Sequence, residues 1–81
     1  MGKYTNERDI KVLSVAMFIE RIKAKNKTLG KTLEDNQDKI LLHLLSKIQK
    51  LGMTDYSDKL LKDRNSKKER KELMRIISDG R

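Results

Sequence analysis

The chain lacks Cys, Pro and Trp altogether and holds a single His in 81 residues. Each absence excludes something. Without Cys there is no disulfide framework and no thiolate metal site, and a reducing, cytoplasmic setting is the expected one. Without Pro, and with only four Gly, long uninterrupted helices are favoured. A lone His (His43) makes a transition-metal site a poor expectation, because such sites need several N, S or O donors. The longest apolar run, Val15-Ala16-Met17-Phe18-Ile19, is far too short for stable membrane insertion. The stretch MGKYTNERD carries no apolar signal core. Phosphate-loop, nucleophile-elbow, zinc-protease and EF-hand signatures are all missing. No catalytic residue, metal or cofactor is therefore assigned, and a non-enzymatic protein is expected.

What the chain has in excess is positive charge. Twenty Lys and Arg face twelve Asp and Glu, a formal net charge of +8. That balance points to a partner carrying negative charge. The excess is uneven: residues 1–31 are net +5, residues 32–53 are balanced, and residues 54–81 are net +3. Two groups concentrate it. One is Lys23, Lys25, Lys27 and Lys31; the other is Lys67, Lys68, Lys71 and Arg75. A milder third group is Lys39, His43, Lys47 and Lys50. Fourteen of the twenty basic residues are Lys. Lysine ammonium groups make good phosphate contacts but carry little base-specific geometry. The abundance of Lys, Asn, Ile and Leu with only two Ala fits AT-rich coding DNA, as in low-GC bacteria and their phages and plasmids.

Eighty-one residues suit one small domain, spanning 1–81, with one core. Apolar spacing predicts an all-α fold, a bundle of four helices at about 7–25, 33–51, 55–63 and 67–78. Asn6 is the expected cap of the first helix, and Asp9 suits its positive N-terminal dipole. That helix is apolar almost all round between Val12 and Ile19, which predicts a central position covered on several sides. Asn26 to Lys31 reads as a loop punctuated by Gly30. Thr32 and Asp35 match a helix-start signal, and Leu33, Ile40, Leu41, Leu44, Leu45, Ile48 and Leu51 form one face of the second helix. Gly52 is expected in a left-handed conformation closing that helix. Thr54 reads as the cap of a short third helix anchored by Tyr56, Leu60 and Leu61. Asn65 breaks it, and Ser66-Lys67-Lys68-Glu69 reads as a capping box for the fourth. With Leu73, Met74, Ile76 and Ile77 as its only apolar anchors, the fourth helix is the weakest element. Gly80 and Arg81 are expected to fray.

Several small motifs have ordinary readings. Glu34, Asp35 and Asp38 decorate a helix start, as do Asp55 and Asp58. His43 reads as an exposed residue of a polar face, with no carboxylate on its stripe. A helix-turn-helix across residues 44–61 has Gly52 at its turn, but Ile48 is large where close packing wants a small side chain. Asp55, Asp58 and Asp63 would also face phosphates poorly. Tyr4, Phe18 and Tyr56 are too scattered to form a stacking platform for single strands.

Two functional classes follow. The first is a small basic regulatory protein that binds nucleic acid, DNA or RNA, mainly through backbone phosphates. Its candidate contacts are Lys67, Lys68, Lys71, Arg75, Lys23, Lys25, Lys27 and Lys31. The second is an inhibitor or adaptor, of phage, plasmid or immunity type, that docks on an acidic protein surface. In size and expected architecture the chain is similar to class II bacteriocin immunity proteins, though no motif carries that likeness. Leu42 and the apolar ring of the first helix are the residues that would supply a docking patch. Homodimerisation is a further way to bury the broad face of that helix.

Overall fold

A computed structural model describes residues 7–79. Asn6, Tyr4, Gly80 and Arg81, which figure in the sequence reading, lie outside the described residues. The regular structure is entirely helical, in five segments rather than four: α1 (Glu7–Lys25), α2 (Lys27–Asp35), α3 (Gln37–Leu51), α4 (Met53–Leu61) and α5 (Asp63–Asp79). Each joint is a single residue: Asn26, Asn36, Gly52 or Lys62.

The additional helix is the segment expected to be a loop. Asn26 leaves the helical region at φ −145° and ψ 94°, and its side chain accepts a hydrogen bond from the Leu29 N–H at 3.0 Å. This side-chain cap supplies one of the donors that a helix start leaves unpaired. Leu29 and Leu33 then point into the core, and Gly30 lies buried between them against α1. Gly30 is thus a contact residue of a helix crossing, not a breaker. Thr32 is interior to α2, where its hydroxyl donates to the Thr28 carbonyl, so it caps nothing. The chain breaks instead at Asn36, whose side-chain amide donates back to the Thr32 carbonyl at 2.9 Å. Asn offers the backbone such local alternatives to helix continuation. What reads as one helix over 33–51 is therefore the end of α2 and all of α3.

Gly52 has positive φ, as expected, but ψ is 152°, so it is extended and not in the compact left-handed well. Its N–H donates to the Ile48 carbonyl at 2.9 Å and closes α3. Thr54 lies inside α4 and does not cap it. An added Cβ at Gly52 would touch nothing within 4 Å, so only the backbone demands glycine. Gly52→Ala should cost about 1–3 kcal/mol in denaturant unfolding, while D-alanine at the same position, which accepts positive φ, should cost less. Equal stability of the L-Ala and D-Ala chains would refute this.

The core gathers Val15, Phe18, Ile19, Ile22, Leu29, Leu33, Ile40, Leu44, Tyr56, Leu60 and Leu73 in one cluster. Phe18 and Tyr56 stack at its centre, ring centroids 4.8 Å apart and planes 12° from parallel. The two aromatic rings that sequence separates are thus stacked together, and both are wholly buried. The central helix is α3, whose backbone approaches all four others. The first helix does not hold that place. It buries one face (Val15, Phe18, Ile19, Ile22) and leaves Ile10, Val12, Leu13 and Met17 exposed. At the far side, α5 packs on α3 and α4 and stays clear of α1 and α2.

Candidate nucleic-acid interface

The position of α5 is set by a buried carboxylate. Ser66 and Glu69, expected as a capping pair, are interior to a helix that begins at Asp63 and runs through Asn65. Both are buried. Glu69 turns away from its own backbone toward α3 and α4. It accepts from the Tyr56 hydroxyl at 2.8 Å and lies 3.0 Å from Nε2 of His43, with the Lys47 ammonium 3.7 Å away. Burial alone would raise the Glu69 pKa, but the bonds to His43 and Tyr56 and the Lys47 charge outweigh it and hold the value below normal. The Tyr56 phenol is pushed strongly upward, first by burial and then by the neighbouring carboxylate. His43 is therefore a half-buried partner of Glu69 and not a free polar-face residue. Arg70 adds a tie, its Nε donating to the Leu60 carbonyl at 3.0 Å.

With Glu69, Leu73 and Ile77 facing inward, the helical repeat sends Lys67, Lys71, Arg75 and Lys68 outward. These four occupy an arc of about 100° opposite the buried face. All four are exposed. Lys67, Lys68 and Lys71 form no ion pair with a described residue. Arg75 is different: its guanidinium donates to Glu72 at 2.6 Å and to Asp79 at 3.4 Å. Glu72 is held below its usual pKa, chiefly by this bond. Three of the four expected contacts are thus open to an external anion, and the fourth must first give up two carboxylates.

The other lysine group is less uniform. Lys23, Lys27 and Lys31 line one shallow groove at the α1–α2 corner, together with Thr28, Thr32 and Glu34. Lys23 pairs with Glu34 at 3.3 Å and Glu20 at 3.7 Å, and Lys31 pairs with Asp35 at 3.3 Å. Lys25 and Lys27 are exposed and form no ion pair with a described residue. Because α2 and α5 do not approach each other, the two groups do not merge into one footprint. The third candidate stripe divides: His43 and Lys47 turn to Glu69, while Lys39 and Lys50 stay exposed.

One apolar feature is lined by none of the candidate contact lysines. Val12, Leu41, Leu42 and Leu45 line a groove between α1 and α3, edged by Lys11, Gln37 and Asp38. Leu42 is 80% exposed, as its position off the buried face predicts. No described helix is long and apolar enough to cross a membrane. Comparison with family models, with curated proteins and with solved structures returned no match.

The sequence reading missed the Glu69 network, although one signal was present. Glu69, Leu73, Ile76 and Ile77 share a helical stripe, so a carboxylate sat among apolar positions. A buried charge there requires partners from elsewhere in the fold.

Proposed function

We propose that this protein is a small non-enzymatic regulator that binds nucleic acid through backbone phosphates, with the outer face of α5 as the primary contact. The observation that carries this reading is the row Lys67, Lys68 and Lys71: exposed, free of ion pairs with described residues, and held on a helix that Glu69 and Leu73 fix to the bundle. The whole-chain charge of +8 adds long-range attraction. The corner groove of Lys23, Lys27 and Lys31, with Lys25 nearby, is a secondary contact whose cations are partly neutralised.

Three phosphate contacts give a salt signature. Affinity for a random duplex should fall by about 2.7 decades per decade of salt from this row alone. Replacing Lys67, Lys68 and Lys71 by Ala should lower affinity across all sequences and remove that contribution, about 2.7, from the total slope. Fluorescence anisotropy with labelled duplex DNA and duplex RNA reads both quantities. An unchanged slope in the triple variant removes this site.

A second reading, a protein-binding inhibitor or adaptor, draws support from the apolar groove around Leu42, with the net charge of +8 favouring an acidic partner. It calls for an acidic partner with an apolar centre. Co-purification of a protein that survives nuclease treatment and is lost in Leu42→Glu would favour it over the first.

A further inference from the structure

The exposed arc of α5 is not chemically uniform. Lys67 and Lys68 diverge by about 100° of helical rotation, and Lys71 and Arg75 project between them, one and two turns further on. Of the four, only Arg75 carries a guanidinium, and its side chain is 61% exposed. Glu72 and Asp79 neutralise its charge, so it adds little to phosphate attraction. They do not exhaust it as a donor. A guanidinium holds five N–H groups in a fixed fork. The two ion pairs engage one terminal nitrogen each, Nη2 toward Glu72 and Nη1 toward Asp79. Five donors less these two leaves three for an outside acceptor.

We propose that α5 is a recognition helix: it enters the major groove of duplex DNA, where Lys67, Lys68 and Lys71 hold phosphates and Arg75 bonds O6 and N7 of a guanine. The inference rests on the nucleic-acid reading above and narrows it to one substrate class. Shape permits the fit. α5 has 17 residues, a rod about 25 Å long, and only α3 and α4 pack on it. An α-helix about 10–12 Å across matches a B-form major groove about 12 Å wide. Diverging lysines suit that seat, because phosphates line both rims of the groove. Chemistry sets the fourth position apart. An ammonium binds phosphate as a point charge, whereas a planar guanidinium places two parallel N–H donors on the two acceptors that guanine shows there. Exposed ion pairs within one helix are weakly held, so Glu72 and Asp79 orient the fork without locking it. Duplex RNA offers no such seat, since its A-form major groove is too deep and narrow for side chains to read.

The test selects a preferred duplex from a random DNA pool. Fluorescence anisotropy at one fixed salt concentration then compares it with the RNA duplex of the same sequence. It is also compared with DNA carrying 7-deazaguanine, which lacks the N7 acceptor, at each guanine in turn. One such replacement should weaken wild-type binding about tenfold and Arg75→Ala binding hardly at all. The RNA duplex should bind more weakly than the DNA. Arg75 is exposed, so its replacement should leave the helical circular dichroism spectrum intact. Any of four results overturns the proposal: no sequence preferred over the pool, RNA bound as tightly as DNA, no guanine sensitive to the replacement, or a sensitivity that persists in Arg75→Ala. If one of these appears while the salt slope still drops in the triple lysine variant, the phosphate reading stands without this one. A chain that binds no duplex at all removes both.

Discussion

Glu69→Ala should destabilise the fold by about 2–4 kcal/mol, because it leaves the Tyr56 hydroxyl buried without an acceptor and removes the anion beside His43 and Lys47. For a domain this small that is a large share of total stability, equivalent to at least about 10 °C in Tm. Glu69→Gln should cost less, since an amide oxygen still accepts from Tyr56. Both variants also differ from wild type in pH response. The wild-type carboxylate has a folded pKa below its ordinary 4.5. Its contribution is therefore complete above about pH 4.5 and is lost as pH falls through the lower folded value. Glu69→Gln should lack that part of the acid loss. At the other end, the Tyr56 pKa is raised above its ordinary 10.0, so the folded state resists phenol ionisation. Its contribution is present below about pH 10 and is lost as pH rises beyond that, and Tyr56→Phe should remove this alkaline loss. Urea titrations of the four proteins at acid, neutral and alkaline pH would check each statement. Parallel stability–pH curves for wild type and Glu69→Gln would rule out the network as described.

Gly30→Ala should also unfold the protein more readily, against the usual effect of removing a helical glycine. Ala is favoured over Gly by about 1 kcal/mol in a helix interior. Here a Cβ would stand 2.6 Å from Lys23 Cα and 2.8 Å from Lys23 N, both backbone atoms of α1. No side-chain rotation relieves contacts with backbone. The two helices must separate, which opens the packing of Leu29 and Leu33 against Ile22 and its neighbours. The steric cost should exceed the propensity gain, for a net loss of about 1–3 kcal/mol. The shift would also spread the corner groove, because Lys23 lies on one helix and Lys27 and Lys31 on the other. A Gly30→Ala chain as stable as wild type in urea would mean that the crossing is looser than described.

These two positions are where sequence and structure part. Gly30 has the appearance of a loop residue when read along the chain, since glycine most often interrupts helices. Nothing local reveals that another backbone passes within contact distance. Glu69 reads as a cap because Ser66 precedes it by three residues, a pattern that usually satisfies a helix start. The helix begins a turn earlier, and the carboxylate is taken by a phenol and an imidazole 13 and 26 residues away. Local signals at Thr32 and Thr54 failed for the same reason: one-residue joints put the breaks at Asn36 and Gly52 instead.

The covalent chain alone determined the helical class, the buried face of α3, the positive φ at Gly52 and the lysine-rich surface, since each follows from spacing or from one residue's own conformational limits. On α5 it marked Leu73, Ile76 and Ile77, but Met74, expected on that face, is exposed, and Ser66 and Glu69 are buried in it. Tertiary packing decided how many helices form, which is central, which lysines remain unpaired, and that α1 keeps a second apolar face in solvent. Those outcomes depend on which residues distant in the chain come within a few ångströms, and short-range spacing does not encode that.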